Sequence, residues 1–303
     1  MAFFEERMNN PTRAATGALQ DPAERWEIPT SEAESRAYFR GVHEIFPRAP
    51  RRESDVPTEA REALTESCRV AAFRQFFLVP GAVRSTGVPG QLVASPDSVL
   101  AMGTSAVGLW TARPEPGVKV LIPLSRLAAV EDATVLLYSR LRFISFEETL
   151  TVRYNALARA GLRPALLELR ERLYDAPLPL PPGEPPAAHL PMKWRRLLRS
   201  PVARLRDDMP VAIRFTVEPG APGDDVQRGQ LLVLSPHELV YLCDPREASH
   251  NYGEDLFIVP RQRITRVRAR ERYLEVSSNG ARLCLDMAVE LRQAAGDWFA
   301  GAS

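Results

Sequence analysis

The chain has 303 residues, 45% of them apolar and 25% charged, which is typical of a soluble globular protein and too apolar for a disordered one. Its length predicts two domains of ordinary size. The net charge of +1 gives no overall attraction to nucleic acid or to an anionic membrane, so any such attraction must come from a local patch.

The first 69 residues are predicted to form a helical arm, packed on the rest of the protein or on a partner. Residues 31–46 begin with a capping box made by Ser31 and Glu34. Residues 58–68 predict a second helix. Its apolar stripe contains Ala60, Leu64 and Cys68.

The chain contains no apolar run of signal-peptide or membrane-span length, which favours a cytoplasmic protein. The three cysteines are Cys68, Cys243 and Cys284. They lack metal-type spacing and are odd in number, so we expect reduced, buried thiols. Arginine outnumbers lysine heavily, since only Lys119 and Lys193 are lysines. This bias is typical of a GC-rich bacterial genome and weakens any argument from arginine alone.

A phrase near residue 90 recurs about 140 residues later: GQLVASPDSVL begins at Gly90 and GQLLVLSPHELV at Gly229. Five residues recur in order at offsets of 137 to 140. The pairs are Pro80 with Pro219, Gly90 with Gly229, Pro96 with Pro236, Pro123 with Pro260, and Arg126 with Arg263. The repetition predicts an internal duplication.

Within each copy the local patterns indicate antiparallel strands followed by a helix. Residues 273–286 alternate in polarity around Asn279-Gly280, the strongest short-range hairpin signal. Residues 287–301 then show helical periodicity. The first copy ends in a similar helical pattern, which we expect to be broken by Gly161 and Pro164.

The stretches LLVLSPHELVYL (231–242) and FIVPRQRITRV (257–267), followed by a terminal helix with Trp298, resemble a pleckstrin-homology-like (PH-like) domain. The resemblance extends to bacterial and GRAM-type members of that superfamily. It implies two PH-like antiparallel β-barrel or sandwich domains, each closed by a C-terminal helix, in a mainly β protein with some α. Other small β-barrels or sandwiches remain an alternative. The domain boundaries are then 1–69 for the arm, 70–175, 176–207 for the linking segment, and 208–303.

Phosphoinositide-binding members of this superfamily carry several basic residues in the loop after the first strand. The corresponding loops here offer Arg84 alone, or Arg228 beside Asp224 and Asp225. The resemblance therefore implies no lipid head-group site in these loops.

The linking segment combines a proline-rich part and a basic part. Residues 176–191 predict an extended, semi-rigid spacer, with a site for a proline-reading partner as the alternative. Residues 193–206 contain six cations and no acid. This basic part fits a helix on an anionic membrane surface. The candidate membrane-surface residues are Lys193, Trp194, Arg195, Arg196 and Arg199. The alternative, which we favour, is a short helix that packs its apolar residues on the second domain.

A second basic stretch, residues 261–273, alternates four arginines: Arg266, Arg268, Arg270 and Arg272. On a strand they would share one face, where they could bind an anion or an acidic partner. The alternative, which the high arginine content of the whole chain favours, is a solvated outer face. Nucleic acid is disfavoured because no aromatic side chains interleave these arginines.

No residue is predicted to be catalytic, to bind a cofactor or to bind a metal. The four histidines are scattered, and nucleotide-binding and nucleophile motifs are missing from the sequence. We therefore expect a non-enzymatic intracellular scaffold or binding protein that recognises a protein partner. The alternatives are a peripheral membrane protein held by residues 193–206 and 261–272, and an enzyme without a recognisable motif.

Overall fold

The computed structural model describes residues 48–80, 83–85, 92–94, 97–112, 116–135, 138–155, 159–174, 176–181, 190–199, 211–218, 228–245 and 253–300. The protein is mainly β, as the sequence predicts. Its described part contains four helices and antiparallel sheets, and no barrel closes among these strands.

The first unit consists of four strands, then three strands, then a helix. Its four-stranded sheet has the order β1-β4-β5-β6. The bounds are β1 Phe76–Val79, β4 Ser98–Met102, β5 Ala106–Thr111 and β6 Gly117–Pro123. Between β1 and β4, a small separate hairpin is formed by β2 (Val83–Ser85) and β3 (Leu92–Ala94). The next elements are β7 Leu127–Val135, β8 Tyr138–Ser145, β9 Thr149–Asn155 and a helix, Arg159–Arg172, which is α2.

The second unit has the same order of elements. Its first four strands are β10 Ala212–Glu218, β11 Arg228–Leu234, β12 Glu238–Cys243 and β13 Gly253–Pro260. Its three-stranded sheet contains β14 Ile264–Ala269, β15 Tyr273–Ser278 and β16 Ala281–Asp286. The last helix, α4, spans Val289–Ala300. Two further helices, α1 (Thr58–Cys68) and α3 (Met192–Arg199), precede the first and second unit respectively.

The two units share local geometry as well as element order. Each four-stranded sheet ends in a proline followed by one 3-10 turn, at Leu124–Arg126 and at Arg261–Arg263. The next strand is bulged in both units, between Leu127 and Ala129 and between Ile264 and Arg266. The anchors Pro123–Pro260 and Arg126–Arg263 therefore occupy equivalent places.

The repeated phrase itself is shifted by one strand between the units. Leu92–Ala94, in its first copy, belongs to the separate β2–β3 hairpin, whereas its second copy forms β11 in the main sheet. The second strand of the first unit is β4. Correspondingly, the Gly103–Ala106 turn of the first unit matches the Ser235–Glu238 turn of the second. In both turns the first amide donates to the last carbonyl over 2.9 Å.

A continuous seven-stranded sheet joins the two units. Its order is β10-β11-β12-β13-β7-β8-β9, so the first sheet of the second unit continues into the second sheet of the first. Strands β13 and β7 pair antiparallel from Gly253–Val135 to Ile258–Val130. The proline-rich segment is therefore not the only connection between the units.

The beginning of the proline-rich segment is also docked. The amide of Leu178 donates to the carbonyl of Pro236 over 3.0 Å. Arg261 donates to the carbonyls of Leu178 and Pro179 over 3.2 and 2.6 Å. Residues 176–181 are thus docked on the second unit, which the prediction of an extended, semi-rigid spacer did not include.

A helix covers the outer face of each unit's first sheet. Helix α1 packs with Ala60, Leu64 and Cys68 buried, which confirms the predicted stripe. Helix α3 covers the equivalent face of the second unit with Trp194. The predicted helix over residues 31–46 lies outside the described residues.

Two local predictions at the C-terminal ends of the units have opposite outcomes. Asn279 and Gly280 both have positive φ, 47° and 79°, as the tight hairpin turn requires, and the hairpin is confirmed. The expected break at Gly161 and Pro164 is wrong, because α2 continues through both residues. Pro164 lies near the start of the helix. It costs one backbone hydrogen bond there, and the buried Leu162, Leu166 and Leu169 offset that loss.

Candidate functional site

The four alternating arginines lie at the edge of the three-stranded sheet of the second unit, but they do not all belong to one strand. Arg266 and Arg268 are in β14, which ends at Ala269. Arg270 and Arg272 lie in the turn, closed by a hydrogen bond of 2.9 Å from the Arg270 amide to the Tyr273 carbonyl. The prediction of one strand carrying all four arginines is therefore wrong. The turn comes earlier than the alternation suggests.

The outer face of this sheet forms a cationic surface, which we call the arginine face. It consists of Arg266, Arg268, Arg270, Arg272 and Arg282. In register, Ser277 lies between Arg266 and Arg282, and Glu275 lies between Arg268 and Cys284. The sequence pattern does not identify Arg282, because this residue is not part of a basic run. The Asn279-Gly280 hairpin turn would have placed it opposite Ser277.

Alternation along the strands fixes which side chains lie on this face. The opposite face carries Leu274, Val276, Leu283 and Leu285, all buried in the core of the second unit with Trp298 of α4. Because neighbouring residues of a strand point to opposite faces, Glu275, Ser277, Arg282 and Cys284 lie on the outer face. The apolar core of the second unit therefore holds the arginine face outward.

Glu275 is the buried acid at the centre of the arginine face. Its side chain is 5% exposed and lies 3.3 Å from Arg270 and 3.9 Å from Arg282. Arg268 is its cross-strand neighbour. The side chain of Arg282 is 66% exposed, and Arg266 and Arg272 are exposed as well. One buried carboxylate thus orients Arg270 and Arg282, whose side chains remain partly in water.

The equivalent face of the first unit is closed. Glu131 of β7, 3% exposed, is held by Arg140 at 2.5 Å and Arg142 at 2.8 Å. The pair Glu131–Arg142 corresponds in register to Arg268–Glu275 with the charges exchanged. Farther along the same face, Ala129 is buried in the core of the second unit. The second unit covers this part of the face, whereas no described residue covers the arginine face in the same way.

The basic helix α3 has its tryptophan facing inward. Trp194 is 3% exposed and packs against Phe215 with ring centroids 5.6 Å apart. A Cβ on Gly229 would come within 2.8 Å of the indole Cε2 and Nε1, so only glycine leaves room for this ring. Lys193 forms an ion pair with Asp244. The candidate membrane residue Trp194 is therefore a core residue, and the alternative of a helix packed on the second unit holds for Trp194 and Leu197.

The other candidate membrane residues of α3 are arginines. Arg195 is exposed. Arg196 and Arg199 are helical in α3, but their side chains lie outside the described set.

Sequence reasoning missed a buried polar network at the junction of the units. Tyr154 donates to Asp132 over 2.5 Å, and Arg159 donates to Asp132 over 2.9 and 3.1 Å. Arg159 also pairs with Glu254 of the second unit. Burial raises the pKa of the Asp132 carboxyl, against the opposing charge of Arg159. No local pattern could reveal this network, because its members come from three strands and a helix of the two units.

A groove and a histidine offer two further places for a site. A groove of about 410 Å³ lies between β10 and α4, lined by Arg214, Glu290, Asp297, Trp298 and Pro181 among others. Its mixed charges match no single ligand class. His237, at the turn before β12, stacks on Tyr174 with ring centroids 4.7 Å apart. Burial and the charge of Glu238 raise the pKa of Tyr174 to about 12, which leaves its phenol neutral.

Within the described ranges, no three histidine, cysteine or acidic side chains come together as a metal site. The helices of those ranges are all too short or too polar to cross a membrane. The two loops that carry Arg84 and Arg228, compared above with phosphoinositide sites, lie mostly outside the described residues.

Comparison of the chain with protein-family models, with curated proteins and with solved structures found no match.

Proposed function

We propose that this protein is a non-enzymatic binding protein that recognises an acidic protein partner through the arginine face. Each unit is proposed to be a PH-like domain, and the two act as one body. The observation that carries the proposal is the arrangement around Glu275, in which a buried acid orients arginines that remain exposed.

The PH-like assignment is supported by the order of elements. Each unit has four antiparallel strands, then three, then a helix. In the second unit the helix buries Trp298 against the sheets. This order matches the expectation from the resemblance in residues 231–267.

The charge balance supports an acidic partner. Five arginines on and beside the face stand against three acids: Glu271 in the turn, and Glu275 and Asp286 in the strands. Guanidinium groups form strong, directional hydrogen bonds with carboxylates, so fixed arginines suit carboxylates at defined positions. We do not expect the equivalent face of the first unit to bind a partner in the same way, because Glu131 already binds Arg140 and Arg142 there.

A protein partner fits the face better than nucleic acid does. Tyr273 is the aromatic residue of the three strands that lies on this face, and it is half-buried. Single-stranded nucleic acid needs several aromatic rings for successive bases. The strands of the arginine face offer one, Tyr273.

The experiment is capture of partners from the native host with the wild-type protein and with the double variant Arg266→Gln, Arg282→Gln. Both arginines are exposed, so the fold should be unchanged. The charge-matched control is Arg51→Gln, Arg52→Gln, which changes exposed arginines outside the arginine face. The proposal requires an acidic protein that is retained by wild type and control and lost by the double variant. Equal retention by all three would refute it, and capture of nucleic acid would replace the protein partner.

A further inference from the structure

Helices α1 and α3 hold equivalent positions but opposite charge. Each precedes its unit and covers the outer face of that unit's first sheet. Helix α1 contains Glu59, Glu62 and Glu66 with one arginine. Helix α3, MKWRRLLR, contains four cations and no acid.

Covering the sheet does not require these cations. In α1 the contact is made by small and apolar residues, Ala60, Leu64 and Cys68, with acids on the remaining sides. In α3 it is made by Trp194 and Leu197. Lys193 contributes an ion pair with Asp244, yet its side chain is still 39% exposed. The first unit thus provides an internal comparison, and the positive charge of α3 needs another explanation.

We propose that the outward side of docked α3 binds an anionic lipid surface, with the helix lying parallel to it. Arg195 is exposed, and Arg199 is four residues farther along the same side of the helix. Met192, 60% exposed, adds an apolar side chain at the beginning of the helix. Cations together with exposed apolar groups on one helix are typical of interfacial binding. Lipid is favoured over an acidic protein because the exposed apolar side chain of Met192 accompanies the cations, and a membrane surface requires no defined arrangement of charges.

The lipid surface and the arginine face lie on opposite sides of the second unit. Along β11, Leu231 and Val233 point to α3 and its cluster. Leu232 and Leu234 point to the core shared with β14–β16. The sheet therefore separates the two cationic surfaces, and both can be occupied at once. An acidic partner could then be held at a membrane without competing with lipid.

The test uses vesicles of phosphatidylcholine alone and of equal parts phosphatidylcholine and phosphatidylglycerol, with the full chain. Each cation near an anionic membrane contributes about 1 kcal/mol, so Arg195→Gln, Arg199→Gln should lower partitioning onto the anionic vesicles by about 30-fold. Arg195→Lys, Arg199→Lys should bind like wild type, because a diffuse surface reads charge rather than guanidinium geometry.

The matched control is Arg266→Gln, Arg282→Gln, which removes the same charge from the opposite side. It should leave vesicle binding within about twofold, since exposed charges beyond a Debye length of about 8 Å are screened. Binding to neither vesicle, or anionic binding that the α3 variant leaves intact, would overturn the proposal. Loss of vesicle binding in the arginine-face variant alone would assign lipid to that face and contradict both proposals. Loss of a captured protein in the α3 variant, with vesicle binding unchanged, would make α3 a protein surface.

Discussion

Arg170 of α2 and Glu238 of β12 form a buried ion pair across the junction of the two units. Their closest atoms are 2.6 Å apart, and both side chains are almost completely excluded from water. Because a lone charge cannot be solvated there, breaking the pair should be costly. We expect Arg170→Met to lower the free energy of unfolding by about 3–5 kcal/mol, measured by denaturant titration.

The exposed pair Arg126–Glu147 is the control for that measurement. Its side chains are about 60% exposed, and Arg126→Met should cost no more than about 1 kcal/mol. An equal loss in both variants would mean that the junction is open to water.

Trp194 over Gly229 yields a second prediction. Gly229→Ala should displace the indole ring, lower the free energy of unfolding and shift tryptophan emission to longer wavelength. Gly296→Ala, in α4, is the matched control, because its Cβ meets nothing within 4 Å. It should raise helix stability by about 0.5–1 kcal/mol. If Gly229→Ala and Gly296→Ala were both more stable than wild type, α3 would not pack on the sheet as described.

The buried carboxyl of Asp132 should make stability depend on pH. Its pKa is raised by burial in the folded state, so from about pH 4 upward the unfolded chain loses its proton first. The folded state then binds more protons, and the free energy of unfolding falls with rising pH until the raised pKa is passed. Asp132→Asn should remove this contribution to the pH dependence. The measurement is the free energy of unfolding from denaturant titrations at several pH values across that range. An unchanged slope would exclude Asp132 as its source.

The three thiols should differ in reactivity. Burial raises the pKa of the Cys68 thiol to about 12, whereas Cys243 and Cys284 are only partly buried. A thiolate is the reactive form, so a maleimide reagent at neutral pH should modify Cys284 or Cys243 well before Cys68. Peptide mapping by mass spectrometry reads this directly. Early modification of Cys68 would imply that α1 detaches from its sheet.

Features fixed by neighbouring residues could be predicted from the sequence. The stripe of α1 depends on helical spacing, and the hairpin at Asn279-Gly280 depends on two positive φ angles. The pairing of β13 with β7 could not, because it joins strands more than 100 residues apart. The repeated GQL phrase was misleading for a physical reason: similar β-prone segments can occupy different strands when one copy forms a side hairpin.

The candidate site was predictable in part. The arginine run identifies Arg266 and Arg268, but only the strand register adds Arg282 and the buried Glu275. Trp194 in a basic helix suggests an interfacial anchor. Its partner Gly229 is far along the chain, so burial of the indole ring could not be foreseen.

The measurement that tests the central claim most directly is titration of the captured acidic partner against wild type and Arg266→Gln, Arg282→Gln at two ionic strengths. Thermal melting of both proteins shows that the fold is intact. We predict equal melting temperatures, weaker binding by the variant, and a shallower dependence of its binding on salt, because fewer screened charges remain at the interface. The same affinity and the same salt dependence for both proteins would contradict the claim that the arginine face is the binding surface.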